Sequence, residues 1–249
     1  MKINSIDRAV KVIELLSENP RGLKLTEISS RLEMNPSSAH HLLNTLLPYD
    51  YIAQNRDTKK YLLGFRFLEI SRRIMDNMDI RKVARKYLEA LRKETRAAVH
   101  LVVLRGNKVV YIDKFDNPGG LSLATYIGFA TDPHAAAGGK VLLAELPHKN
   151  VKEIYQNRKL KNYGKKTITN LPMLLAELET VRKQGYAIDD EEYYEGVRCI
   201  AAPVRSGGQV VASISVTGSI FTMTMDRIER ELKDLVKKTA DRISAEMRW

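Results

Sequence analysis

From Asn35 to Leu46 the chain reads Asn-Pro-Ser-Ser-Ala-His-His-Leu-Leu-Asn-Thr-Leu. Ala39, Leu42, Leu43 and Leu46 fall at i, i+3, i+4 and i+7, the spacing that gathers apolar side chains on one face of a helix. Ser37, Ser38, His40, His41 and Asn44 are then left on the outward face. They are short hydrogen-bonding groups rather than the long Lys and Glu side chains of a solvated face. Near the N-terminal half of a helix such groups can reach base edges in a major groove: Asn pairs bidentately with adenine, while Ser and His reach bases or phosphates. Asn35 is a predicted N-cap and Pro36 a first helical residue, and the free N–H groups of that turn favour a phosphate. Further on, Arg56, Lys59 and Lys60 share a turn with Asp57, where the basic side chains could touch a phosphate backbone.

Taken alone, a polar helix face can be merely solvated. The order of elements around this one argues otherwise. Ile6, Ala9, Val10, Ile13 and Leu16 have helical spacing, and Asn19-Pro20-Arg21-Gly22 ends that helix. A short helix follows from about Leu25 to Leu32, with Thr26 placed to cap it and Ile28 and Leu32 facing inward. After the polar helix come extended segments at Tyr51–Gln54 and Tyr61–Leu63, joined by the basic turn. Three helices and a β-hairpin in this order predict a winged helix-turn-helix, hence double-stranded DNA as partner.

A second set of residues lies in the other part of the chain. Asp132-Pro133 precede the small-residue run Ala135–Gly139, which predicts a helix over about Pro133–Leu146 with Asp132 as N-cap. Small side chains there either let a carboxylate or phosphate approach backbone N–H groups, or only permit tight helix–sheet packing. Ser215 and Thr217 alternate on a strand, so both hydroxyls face one side. Hydroxyls and N–H groups together suit a small hydroxy- or oxo-acid. Asp189-Asp190-Glu191-Glu192 is either a solvated loop or a carboxylate facing a pocket. Cys199 is either a buried small apolar group or a thiol, and His134 either structural or a supporting partner.

The elements around these residues predict an α+β domain. Residues 65–96 read as helix with a break near Asp76–Asp79. Ala98–Leu104 and Lys108–Lys114 form a hairpin about Arg105-Gly106-Asn107, and Leu121–Tyr126 reads as a strand. Residues 171–184 form a helix stopped by Gly185. Tyr186–Asp189, Cys199–Arg205 and Gln209–Thr217 are strand-like, the last two turning at Ser206-Gly207-Gly208. An amphipathic helix over 224–247 closes the chain, with Ile228, Leu232, Leu235, Val236 and Ile243 inward. The fold class is two-domain α+β: residues 1–64 a winged helix-turn-helix, 65–79 a linker helix, and 80–249 an antiparallel sheet flanked by helices.

The 249 residues carry a net charge of +11, but its distribution does not mark the DNA-reading face. Residues 1–79 hold 12 Lys and Arg against 10 Asp and Glu; the other 29 and 20 lie beyond. A single cysteine excludes an intramolecular disulfide and a zinc ladder, and fits a reducing compartment. No apolar run reaches the ~18 residues of a membrane helix, and the acid-containing N-terminus is not a secretory signal, so a cytoplasmic protein with no membrane partner is expected. No cofactor and no metal are expected.

Ser5-Ile6-Asp7-Arg8-Ala9-Val10-Lys11-Val12-Ile13-Glu14-Leu15-Leu16 and Lys60-Tyr61-Leu62-Leu63-Gly64 resemble the opening and the wing of the IclR family of bacterial transcriptional regulators. Tyr126-Ile127-Gly128, Asp132–Ala144, Gly185–Glu192, Gly196–Val204 and Ile214–Gly218 are similar to its effector-binding domain. The resemblance covers essentially the whole chain and implies a GAF-like second domain. It implies effector-binding residues at Tyr126, Gly128, His134, Ala137, Gly138, Asp189, Cys199, Ser215 and Thr217, with Leu123 and Thr131 lining the pocket. It further implies a small organic-acid effector, a homodimer or homotetramer, and repression as the commoner mode. Many members have Arg where this chain has His41. The Asp-Pro-His order shifts the family's usual proline by one residue, and Ala137, Gly138 and Thr131 depart from common choices, so effector identity does not carry over. Two other functions remain open at this point. One is an enzyme using Cys199 as nucleophile with His134 and Asp189; the other is a ligand-binding module that does not read DNA.

Overall fold

The apolar stripes of the first 63 residues close a small core. Helices α1 (Asn4–Ser17), α2 (Leu25–Arg31) and α3 (Pro36–Leu46) pack with hairpin strands β1 (Ile52–Gln54) and β2 (Tyr61–Leu63) around Val12, Leu16, Leu23, Ile28, Leu43, Ile52 and Tyr61. The structure is a computed structural model and describes residues 4–120, 123–156 and 158–247. It divides into two compact units, Met1–Asn77 and Met78–Trp249.

In α1 the buried residues are Val12 and Leu16, whereas Ile6 and Val10 of the helically spaced set stand exposed. Thr26 does not cap α2: the N-cap position is Lys24, whose N–H donates to Glu27 Oε2 at 2.7 Å. Gly22 (φ +70°) is required where the loop before α2 crosses β2, because a Cβ would stand 2.7 Å from the Tyr61 carbonyl oxygen. Leu23 and Tyr61 exchange two backbone hydrogen bonds there, fastening the α1–α2 connection to the hairpin. Helix α4 (Arg66–Asp76) ends the first unit and buries none of its residues; Phe65 just before it, Leu68 and Ile74 are exposed.

The second unit is an antiparallel six-stranded sheet. Its strands are β3 (Ala98–Arg105), β4 (Lys108–Phe115), β5 (Ala130–Thr131), β6 (Ala187–Asp190), β7 (Val197–Ser206) and β8 (Gln209–Ser219), in the spatial order β5-β4-β3-β8-β7-β6. The strand expected over Leu121–Tyr126 is absent at 123–126, and Leu121 and Ser122 lie outside the described residues. Its place at the sheet edge is taken by the two-residue β5.

Period-2 alternation sends Val99, Leu101, Ile200, Ala202, Ile214 and Val216 to one face, against α5 (Asp79–Thr95) and the C-terminal helix. That helix runs as α9 (Met225–Arg227), a π-helical turn (Ile228–Leu232) and α10 (Lys233–Glu246). Ile228, Leu232, Val236 and Ile243 are fully buried in this core. On the other face lie α6 (Ala137–Ala144), α7 (His148–Tyr155) and α8 (Leu171–Gln184), which share a second core with Ala187 and Ala201. Helix α7 has no counterpart in the sequence reading. The helix expected over Pro133–Leu146 begins only at Ala137, after a 3-10 turn at Pro133–Ala135. Asp132 precedes that turn but its side chain does not cap it; it accepts from Lys108 Nζ at 2.6 Å and Tyr163 OH at 2.5 Å.

Strand β4 carries a bulge. Leu101 pairs with Asp113 but Val102 pairs with Tyr111, leaving Ile112 over. The extra residue lets Tyr111 and Lys114 share the α6 face while Ile112 and Asp113 turn to the α5 face. There Arg81 Nε donates to the Ile112 carbonyl at 3.1 Å, and Arg81 and Arg85 pair with the buried Asp113.

Candidate nucleic-acid interface and ligand cavity

In α3 the sequence pattern acts as read. Ala39 and Leu43 are fully buried and Leu42 and Leu46 pack beside them, while Ser37, His40, His41 and Asn44 are exposed and Ser38 half-exposed. Asn35 occupies the N-cap position and Pro36 the first turn, but the Asn35 side chain makes no capping bond, so the N–H groups there stay free for an anion. Asn44 Nδ2 lies 3.4 Å from the His40 ring nitrogens, one turn away. The α2–α3 connection is closed by Met34 N–H donating to the Ser29 carbonyl, with Glu33 at φ +51°.

The basic turn is built from its own polar groups. Asn55 Oδ1 accepts from the N–H groups of Asp57 and Thr58, and Asn55 and Lys60 close the loop by a backbone bond of 2.9 Å. Arg56 and Lys59 are exposed and Lys60 is half-exposed. All eight expected nucleic-acid residues are thus exposed or half-exposed on elements of one unit.

The second unit holds a small cavity between the sheet and the start of α6. Alternation and register assemble its floor. Asp189, Cys199 and Thr217 lie side by side across β6, β7 and β8, and Ser215 faces His100 across β8 and β3 one pleat further on. Ala201 opposite Ser215 leaves space above the floor. The roof is Ala136, Ala137, Gly138 and Gly139. Ala136 is the N-cap of α6 and offers no side-chain cap, and the N–H groups of Ala137, Gly138 and Gly139 meet no acceptor among the described residues. The small side chains of this run are what its packing requires. A Cβ on Gly138 would stand 2.7 Å from Val102 Cγ2, and one on Gly139 2.3 Å from the Pro133 carbonyl oxygen, so tight packing is what brings these N–H groups to the cavity.

Of the expected effector residues, Leu123, Ala137, Gly138, Asp189, Cys199, Ser215 and Thr217 line the cavity. Tyr126, Gly128, Thr131 and His134 do not. Tyr126 is exposed and stacks edge-on against Phe129, which does line it. Gly128 donates its N–H to the Tyr111 carbonyl. Thr131 is buried on β5, and its hydroxyl has no hydrogen-bond partner among the described residues. His134 is buried against Tyr155 and Tyr163, its Nε2 3.0 Å from the Lys161 carbonyl. Cys199 and Asp189 are thus neighbours but His134 is not with them, and burial together with Asp189 pushes the Cys199 thiol up. That is the opposite of an activated thiolate.

The residues missed by the sequence reading are chiefly His100, Tyr111, Thr125, Phe129, Tyr193 and Tyr194. The signal for His100 was its place between Val99 and Leu101, a polar residue on the alternate face of an apolar strand. It is fully buried, lies 3.1 Å from Thr125 Oγ1, and burial holds its pKa down at about 3, so the ring is neutral. Lys114 Nζ donates to the carbonyls of Leu123 and Thr125 and ties that segment over the cavity. Beside the roof, Lys140 is buried on α6 with its ammonium 2.6 Å from Glu192 and 3.0 Å from Glu177. Burial opposes its charge, yet the two carboxylates outweigh this and hold its pKa above the ordinary value. Burial pushes the Glu192 carboxyl up in spite of Lys140. Among the described residues no His, Cys, Asp and Glu group could hold a metal, and no helix is long and apolar enough to cross a membrane.

With this geometry, the relatives of the chain can be placed. Residues 72–245 match the family described as bacterial transcriptional regulator IclR C-terminal, and residues 5–56 match the IclR helix-turn-helix domain. The HTH-type transcriptional regulator XynR of Escherichia coli is 35% identical over 91% of this chain and 90% of that protein. The HTH-type transcriptional regulator KdgR of the same organism is 32% identical over 98% of this chain and 93% of that protein. The crystal structure of Thermotoga maritima IclR superposes with a TM-score of 0.77 at 31% identity, covering 99% of both chains. An IclR homologue from Microbacterium hydrocarbonoxydans, complexed with 4-hydroxybenzoate, shares the fold at a TM-score of 0.82 and 23% identity over 98% of each chain.

Proposed function

Because the chain belongs to the IclR family of bacterial transcriptional regulators, and so is a helix-turn-helix DNA-binding regulator, we propose that it is a cytoplasmic repressor whose hold on a two-fold operator is controlled by a small organic acid. The observation that carries the DNA part is α3, which buries Ala39 and Leu43 and offers Ser37, Ser38, His40, His41 and Asn44 outward. Arg56, Lys59 and Lys60 on the wing add phosphate contacts. In this reading residues 1–64 read DNA, 65–79 link, and 80–249 sense.

The sensing part is supported by a cavity whose roof is an uncapped helix start and whose floor carries Ser215 and Thr217. Free N–H groups favour a carboxylate there, and the hydroxyls favour oxygen substituents on a short chain. Leu123, Ala137, Gly138, Asp189 and Cys199 complete the direct contacts. Tyr126, Gly128, Thr131 and His134 support them from behind the wall. A ligand moves DNA affinity only by its differential affinity for two arrangements of the protein, so the acid weakens or strengthens operator binding by that difference.

One recognition helix reads too few bases for useful specificity, which calls for a homodimer or homotetramer on a palindromic site. The exposed Phe65, Leu68 and Ile74 about α4, with Ile6 and Val10 on α1, support a subunit contact through the first unit. The test is selection of duplexes from a random pool by the full chain, followed by a thermal-shift panel of carboxylates. A two-fold motif and an acid that stabilises the protein are expected; an acid at 100 times its Kd contributes about 2.7 kcal/mol. Selection that enriches no motif at moderate salt refutes the DNA reading and favours a ligand-binding module alone.

A further inference from the structure

The cavity poses an electrostatic problem for an anion. Among its described lining residues there is no Lys or Arg, and the one carboxylate is Asp189, itself buried. Two ammonium groups lie about the cavity and both are engaged: Lys140 is shared between Glu177 and Glu192, and Lys114 holds the carbonyls of Leu123 and Thr125 and pairs with Asp116. An ionised Asp189 and a ligand carboxylate would be two like charges in one desolvated space, which mutually disfavour ionisation. Removing the proton from the ligand acid costs little in water; keeping one on Asp189 resolves the conflict.

We propose, on the reading that the effector is a small acid, that Asp189 takes part in binding as the neutral carboxylic acid and donates its hydrogen to an oxygen of the ligand, so that the cavity selects monoanions carrying a second acceptor oxygen and takes up one proton as they bind. The carboxylate of the ligand lies at the N–H groups of Ala137, Gly138 and Gly139, and its second oxygen reaches Asp189 across the cavity. A dianion fails because its second negative charge meets no Lys or Arg among the described lining residues. A ligand with no acceptor for Asp189 leaves a buried donor unpaired.

The groups facing Asp189 from each packed element agree with this. On its own strand and the following loop, Asp189 Oδ1 accepts the Glu192 N–H at 2.8 Å, and the Glu192 carboxylate adds a negative charge nearby. From β7 the Cys199 thiol lies alongside, kept protonated by burial, and its cross-strand neighbour on β8 is the uncharged Thr217. From β3 comes the neutral His100, and from β4 come Tyr111, whose hydroxyl burial also pushes up, and Lys114, whose ammonium is held by Asp116 and by the Leu123 and Thr125 carbonyls. From α6, Lys140 pulls the other way, as do the N–H groups of Glu192 and Tyr193. Burial first and Glu192 second prevail, and Asp189 is pushed up to about 7 before any ligand arrives. A bound anion raises it further.

The experiment is calorimetry of the full chain from pH 5.5 to 9 with glycolate, pyruvate, D-gluconate and 4-hydroxybenzoate, and with glucose and ethanolamine as probes that are not acids, repeated with Asp189→Asn. The amide keeps a donor and loses the titration. For the wild type, affinity should be constant below pH 6, fall roughly tenfold per unit above pH 7, and be accompanied by net uptake of a proton in buffers of different ionisation enthalpy. Asp189→Asn should bind with no such slope and hold the ligand better than the wild type at pH 8.5. A wild-type affinity that is flat or rises with pH overturns the proposal, as does an unchanged slope in the variant; either leaves the acid-effector reading standing. Binding of glucose or ethanolamine but of none of the acids overturns that reading, and the proposal with it. A measurement without ligand closes the remaining gap: a carboxyl ¹³C resonance lost in Asp189→Asn should titrate near pH 7 in the free protein, and titration near pH 4 refutes the inference.

Discussion

Replacing Lys140 by Met tests how the cavity wall is held. Lys140 is 1% exposed, and its ammonium is shared by Glu192 at 2.6 Å and Glu177 at 3.0 Å. Glu177 keeps 32% of its side chain exposed and can turn to water, but Glu192 is buried and its Oε2 already has no partner among the described residues. The cost therefore falls on Glu192, a buried charge left alone, for which roughly 3–5 kcal/mol is expected at pH 8. In a unit of this size that is a fall in Tm of about 6–20 °C. The sign of the pH dependence follows from Glu192. Its folded pKa, already raised, rises further without Lys140, so the native state holds a proton that the unfolded chain gives up above about 4.5. The variant's deficit should shrink as pH falls toward 5 and grow as pH rises through neutrality. Urea unfolding at pH 5 and pH 8 measures this, and adding Glu192→Gln should restore most of the loss at pH 8. A deficit that is equal at both pH values and is not rescued by Glu192→Gln would refute the charge argument and leave packing as the cause.

Other outcomes follow from the same geometry. Ser38→Ala and Asn44→Ala should each weaken specific operator binding by roughly 1–3 kcal/mol, whereas Lys59→Gln and Lys60→Gln should weaken all sequences alike and lower the salt slope by about 1 each, as read by fluorescence anisotropy. Gly138→Ala places a methyl 2.7 Å from Val102 Cγ2 and should destabilise by about 1–3 kcal/mol, with partial rescue by Val102→Ala in thermal unfolding. His100 is buried neutral with its pKa depressed to about 3. Stability should be lost as pH falls from 6.5, where the unfolded chain starts to bind the proton, toward 3, by up to about 4 kcal/mol; His100→Leu should flatten that limb. Cys199, with its thiol pushed up by burial, should react with iodoacetamide far more slowly at pH 8 than a free cysteine, and an acid bound in the cavity should slow it further.

How much of this could be read from residues alone differs between the two units. In α3 the period of Ala39, Leu42, Leu43 and Leu46 settles both the helix and its outward face, because a single amphipathic helix carries its own register. The hairpins at Gly106 and at Gly207-Gly208 are equally local. The cavity is not. Asp189, Cys199 and Thr217 are brought into one row by strand pairing between segments far apart in sequence, and only the resemblance to a family pointed to them together. Strict alternation along β4 would put Tyr111 and Asp113 on one face, and the bulge at Ile112 separates them. Phe129, Tyr193 and Tyr194 reach the cavity outside the strands, where no period predicts burial. Helix α7 shows only Val151, Ile154 and Tyr155 as an apolar face among charges, too short a pattern to stand out. In α1 Leu16 of the helically spaced set is buried, while Ile6 and Val10 of that set are exposed and Val12, outside it, fills the core.

The most direct test is to titrate the full chain onto its selected two-fold duplex at fixed salt, with and without a saturating concentration of the acid that stabilises it most. A nanomolar-range Kd that shifts at least fivefold with the acid, and that is lost with Asn44→Ala but keeps its acid response with Lys59→Gln, is the predicted result. Tight binding that ignores sequence, or a sequence-specific complex indifferent to every acid that occupies the cavity, would contradict the account.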